Sequence, residues 1–145
     1  MTLLLDRIIE DHLLYEVSSL DLVGTHRDRR LAPNIDQGGN VHLNILEPGA
    51  RAGDHFHEHV EEFFINPGPG RLVLHLRDPG SGSVEKVELS PVSMREARAY
   101  RAKLGVPHMI ENPNSHRAVL IIVVDKDDPR DIVPAPVYLS QSRGD

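Results

Sequence analysis

The chain has 145 residues, no cysteine, no tryptophan, 39% hydrophobic residues and a formal net charge of -6. That length suits one domain of the usual size of about 100–200 residues with a core of its own. The missing cysteines exclude disulfides, thiolate metal sites and cysteine nucleophiles, and the excess of acid over base speaks against nucleic-acid and anionic-membrane partners.

Residues 3–20 place Leu4, Leu5, Ile8, Ile9, His12, Leu13 and Val17 at a spacing that suits one face of a short helix. A strand fits Leu13 to Val17 almost as well. Asp6, Arg7, Glu10 and Asp11 interrupt the apolar run, so neither a signal peptide nor a membrane span of about 18–20 apolar residues is expected. The expected location is the cytoplasm. Residues 24–40 are polar, with Pro33 and the pair Gly38 and Gly39, and read mostly as loop. Residues 1–35 are therefore an arm of the same domain.

From residue 40 the period changes to two. Val41, Leu43 and Ile45 alternate with His42 and Asn44, the pattern of a strand. Residues 47–53 read as a turn and 55–57 open another strand. Residues 61–66 form a third, stopped by the Pro-Gly-Pro-Gly run at 67–70. Residues 71–78 alternate with Leu72, Leu74 and Leu76 on one face, and 84–89 pair back as a hairpin. Residues 93–100 fit a helical turn or an irregular strand entry. Strand, turn, strand fits 100–112, and the nearly all-apolar run 118–125 is a strand buried on both faces. Pro129, Pro134 and Pro136 mark a last extended segment; the domain ends near residue 140, and 141–145 are a frayed tail. About eight short strands separated by turn signals predict a β-sandwich or small barrel.

The nine histidines are the unusual feature of the composition. His55 and His57 are two apart, so on a strand they share a face. Glu61 and Glu62 head the next strand, and either carboxylate can join the imidazoles. His108 follows a Gly-Val-Pro turn and can supply a third nitrogen. Three imidazoles and one carboxylate suit one divalent transition metal (zinc, iron, manganese, nickel or cobalt) with positions left for substrate.

These residues resemble the two motifs of the cupin superfamily. Its first motif, G-x5-H-x-H-x3–4-E-x6-G, is met by Gly49, His55, His57, Glu61 or Glu62, and Gly68 or Gly70. Its second, P-x-G-x2-H-x3-N, is met by Gly105, His108 and Asn112, with Lys103 in place of the proline. The resemblance spans about residues 41–125 and implies an antiparallel jelly-roll barrel. It implies a metal held by His55, His57, Glu62 and His108, since the second Glu of the pair is the one that usually precedes an aromatic-rich strand in this family. Residues 53–64 and 105–125 also resemble, more weakly, the cupin domains of bacterial enzymes acting on nucleotide-linked sugars, among them capsular-polysaccharide nucleotide-sugar reductases.

A metal in a barrel lumen polarises a carbonyl oxygen and acidifies the neighbouring C–H. The expectation is a metal-dependent isomerase or epimerase acting on a small polar substrate, a sugar or keto acid. A non-haem Fe(II) dioxygenase uses the same ligands, and a non-catalytic metal or small-ligand binding cupin is the third reading. His42 and His75 are candidate bases if the faces opposite their apolar rows line the lumen. Tyr100 is the candidate proton donor. The apolar strand 118–125 and the N-terminal arm leave β surface for a second copy, so a homodimer is expected.

Overall fold

The two-residue alternation that begins at residue 40 becomes a series of antiparallel strands. The computed structural model describes residues 8–17, 38–92, 98–126 and 128–139. Among these residues there are eleven strands and no helix. They are β1 (Ile8–Glu10), β2 (Leu14–Val17), β3 (Asn40–Leu46), β4 (Arg51–Phe56), β5 (Glu62–Ile65), β6 (Leu72–Arg77), β7 (Val84–Leu89), β8 (Ala99–Ala102), β9 (His108–Glu111), β10 (Ala118–Val124) and β11 (Val133–Pro134). One sheet has the order β1-β2-β8-β5-β10-β3 and the other β11-β4-β9-β6-β7. Consecutive strands repeatedly fall in opposite sheets, as a jelly roll requires.

The core lies between the sheets. Leu72, Leu74 and Leu76 of β6 are fully buried and pack with Leu46, Phe64, Tyr100, Ile110 and Leu120. Each such leucine contributes about 1.5–3 kcal/mol by leaving water. A smaller cluster, Val17, Phe63, Ala99 and Val123, occupies the opposite face of the six-stranded sheet. β10 is hydrogen-bonded to β3 on one side and β5 on the other. Its central position explains its apolar sequence, although Val119 remains exposed.

Three local readings change. The helix alternative for residues 3–20 does not hold over 8–17, which form the antiparallel pair β1 and β2 joined to β8. Asp11 is the cause: its carboxylate accepts the N–H groups of Leu13 and Leu14 at 2.8 and 2.9 Å and turns the chain back. β4 starts at Arg51, inside the stretch read as a turn, because Arg51 and Ala52 find partners in Glu111 and Ile110. Residues 99 and 100 open β8, while 93–97 lie outside the described residues, as do most of the 24–40 loop and the 141–145 tail. No helix among the described residues is long and apolar enough to cross a membrane.

Candidate metal centre

The inward aim of His55 depends on an irregularity in β4. Arg51, Ala52 and Gly53 pair in turn with Glu111, Ile110 and Met109, but His108 pairs with His55 instead of Asp54. Ala52 and Ile110 face the core. Strict alternation from Ala52 would therefore send His55 outward. The extra residue Asp54, at φ 60°, is a β-bulge that resets the parity and turns His55 to the inner face beside His108. Gly53 makes this possible. Its φ is 123°, and a Cβ there would stand 2.6 Å from the His108 carbonyl oxygen.

His57 follows just beyond the end of β4, and Glu62 opens β5. The ligand atoms of His55, His57, Glu62 and His108 all lie within 4.8 Å of one another. The His55 ring stands edge-on to both others, with centroids 4.8 Å from His57 and 5.0 Å from His108. Backbone carbonyls fix two of the rings. His57 Nδ1–H donates to the Asp131 carbonyl at 2.6 Å, and His108 Nδ1–H to the Val106 carbonyl at 3.0 Å. A carbonyl only accepts, so each neutral ring must turn its Nε2 lone pair inward. Both Nε2 atoms face the same carboxylate oxygen: Glu62 Oε1 is 2.6 Å from His57 Nε2 and, at hydrogen-bond distance, 3.2 Å from His108 Nε2. The His57 Nε2 is buried and finds no hydrogen-bond partner among the described residues. Lone pairs pressed on an anion need a positive charge among them, a proton or a cation. The donor set and this orphaned nitrogen fit a divalent transition metal.

The electrostatics follow. Burial, and then the imidazoles of His108 and His57, lower His55 from 6.5 to about 4, so it stays a neutral donor. Burial opposes charge on His57, but the adjacent Glu62 carboxylate outweighs it and raises the imidazole. Burial opposes charge on Glu62 as well, yet His108 and His57 hold its carboxyl well below the usual range.

Glu61 and Glu62 separate by strand alternation. Glu62 joins the histidines, while the Glu61 carboxylate pairs with the buried Arg101 at 2.8 Å. His42, on exposed β3, sits opposite Ile122, which sits opposite Phe64. It therefore shares the inner face of its sheet, at the open rim. His75 lies on the other face of its strand from the buried leucines and does not face the lumen. Its neighbour Leu76 is the residue that pairs with His108, whereas His75 pairs with Met109. There it is buried between Tyr138, whose hydroxyl is 2.7 Å from Nδ1, and Glu111, 3.0 Å from Nε2. Tyr100 is packed in the core, and its hydroxyl accepts the Ser90 N–H at 3.1 Å. Asp131, whose carbonyl orients His57, escaped the sequence reading; it lies 74 residues away along the chain, and nothing near it signals a role.

No family model and no curated protein matches this chain. Solved structures do. The 4-keto-6-deoxy sugar epimerase NovW, from the novobiocin biosynthetic gene cluster of Streptomyces spheroides, is similar with a TM-score of 0.62 at 17% identity, over 95% of this chain and 84% of that one. The capsular polysaccharide assembling protein CapF from Staphylococcus aureus is similar with a TM-score of 0.60 at 20% identity, over 92% of this chain. This chain spans 32% of the length of CapF. QdtA, a sugar 3,4-ketoisomerase from Thermoanaerobacterium thermosaccharolyticum solved with TDP, is similar with a TM-score of 0.55 at 15% identity, over 66% of this chain and 65% of that one. Two antiparallel sheets in jelly-roll order, together with this likeness in shape, give the chain the cupin fold.

Proposed function

We propose that this chain is a metal-dependent enzyme that moves a proton on a small carbonyl substrate, a keto sugar or keto acid, as an isomerase or epimerase does. The observation that carries the reading is the convergence of His55, His57, Glu62 and His108, with two Nε2 lone pairs turned onto one carboxylate oxygen. Zinc, iron, manganese or nickel bound by these four residues supplies Lewis-acid polarisation of a substrate oxygen. The remaining work falls to the chain. His42, exposed on the inner face at the rim, takes the proton from the carbon beside the carbonyl and returns it on the same face to the neighbouring carbon; where the outcome is epimerisation, a water on the opposite face gives up the new proton and His42 passes its own to the hydroxide left behind. Tyr100 stands three strands from His42, about 14 Å at the usual strand spacing. It serves the packing of the wall and not the same substrate atom. The likeness to NovW and QdtA, which their names describe as acting on keto sugars, supports a nucleotide-linked keto sugar as the first substrate to try.

The test is elemental analysis of protein purified without chelator, followed by incubation with nucleotide-linked 4-keto sugars in deuterated solvent. One bound transition metal per chain and deuterium entering the sugar are expected. His42→Asn should keep the metal and slow exchange by about 10²–10⁴-fold. Bound iron with oxygen uptake and no exchange would replace this reading with a dioxygenase. A metal-loaded protein inert in both assays would make the chain a binding protein.

A soluble homodimer of this chain is also part of the proposal. Among the described residues β3 ends its sheet, and Val41, Leu43 and Ile45 on it are 44%, 71% and 66% exposed. No charged residue or proline guards this edge from Asn40 to Leu46. A second copy pairing there would cover it, and light scattering of wild type against Leu43→Lys tests this.

A further inference from the structure

A C-terminal strap, residues 131–138, runs along the edge of β4 that β9 leaves free. Val133 and Pro134 pair with Phe56 and His55. The N–H of Ala135 donates to the Asp54 carbonyl at 2.8 Å, and that of Val137 to the Asp54 carboxylate at 3.1 Å. The strap thus holds the bulge that aims His55. At its beginning, Asp131 grips the other ligand segment at four points. Its carbonyl accepts His57 Nδ1–H at 2.6 Å. Its carboxylate accepts three successive backbone N–H groups, from Glu58, His59 and Val60, at 3.0, 2.8 and 2.6 Å. Asp131 is buried, and these bonds, set against the burial that opposes its charge, lower its carboxyl. Three consecutive N–H groups on one carboxylate fix a tight turn, and this turn carries the chain from His57 to Glu62.

We infer that Asp131 is the positioning residue of the metal centre: it sets the tautomer and aim of His57 and the path of the turn to Glu62. The inference rests on the metal reading of the site. One residue thereby couples two ligands that strand pairing alone leaves unconnected, since His57 lies beyond the last paired residue of β4. An imidazole whose Nδ1–H is held by a carbonyl presents Nε2 as a lone pair, and such outer partners are worth about 10–100-fold in metal affinity. In Asp131→Asn an amide N–H₂ replaces one acceptor oxygen and faces backbone donors. The turn then loosens and the carbonyl leaves His57.

The test uses the full chain. Nitrogen-15 correlation spectra of metal-free protein, at a pH where His57 is neutral, should show its proton on Nδ1. In Asp131→Asn the Nε2–H tautomer should gain population. Cobalt(II) titration should show affinity falling about 10–100-fold in Asp131→Asn. Tyr138→Phe, which loosens the far end of the strap, should stay within about twofold of wild type. Unchanged tautomer and cobalt affinity in Asp131→Asn would overturn the proposal and leave the metal reading standing. A wild-type His57 protonated on Nε2 would do the same, and needs no variant to fold. Wild-type protein that binds no cobalt would overturn the metal reading, and the proposal with it.

Discussion

Two buried histidine groups stand back to back on the five-stranded sheet. On its outer face His75 is saturated. Tyr138 O–H donates to Nδ1, Nε2–H donates to Glu111, and Arg51 reaches the same carboxylate at 3.5 Å. On the inner face, His108 shares the Glu62 carboxylate with His57, His55 stands edge-on to both rings, and the His57 Nε2 is left over among the described residues. His75 faces one group that can donate and one that accepts, so a neutral ring satisfies both, whereas His57 and His108 each face two acceptors, a carbonyl and a carboxylate oxygen. Rings placed so need an added positive charge between them, a proton or a cation. Residue type does not separate the two groups, for each combines histidine and glutamate; the balance of donors and acceptors does.

The comparison can be broken in order of expected effect. His108→Ala should lower cobalt(II) affinity more than about 100-fold, whereas His75→Ala should leave metal content unchanged. Equal losses would erase the distinction. Gly53→Ala, which brings a Cβ to 2.6 Å from the His108 carbonyl oxygen at φ 123°, should cost about 1–3 kcal/mol in urea unfolding and weaken cobalt binding as well. His75→Ala should cost on the order of 1–3 kcal/mol by removing its hydrogen bonds to Tyr138 and Glu111, the latter keeping Arg51, without any metal-dependent component.

The smallest effect is a pH dependence of the metal-free protein. The unfolded chain protonates His55 near 6.5 and the folded one only near 4. Between these values the unfolded state binds more protons, so stability should fall as pH drops through that window, by on the order of 1 kcal/mol. His57 is raised and works in the opposite direction, adding stability on acidification. Below 4.5, Glu111 and Glu62, whose folded carboxyls are lowered, give up their contribution as they protonate. His55→Asn should flatten the first part of the urea-midpoint profile and leave the acid limb.

Much of this fold was legible in order. The alternation over 41–47 and 71–78, the hairpin partner at 84–89 and the apolar run at 118–125 each became a strand because a half-buried or central strand needs that pattern. Residues 8–17 were ambiguous because Leu13, Leu14 and Val17 suit either a helix face or an edge strand; the Asp11 turn and the free edge of β8 decide it.

The chain's composition and spacing alone determined which atoms were on offer: imidazoles at 55, 57 and 108, a carboxylate at 61 or 62, and no thiolate. Only the tertiary structure decided which of them meet. Alternation names two faces of a strand but not which one is inside, so His42 turns to the inner face and His75 to the outer. A bulged residue, Asp54, reverses the count for His55, and Arg101 draws Glu61 away from Glu62. Asp131 reaches His57 across 74 residues. Such contacts arise from the register between distant strands, which no local pattern of side chains encodes.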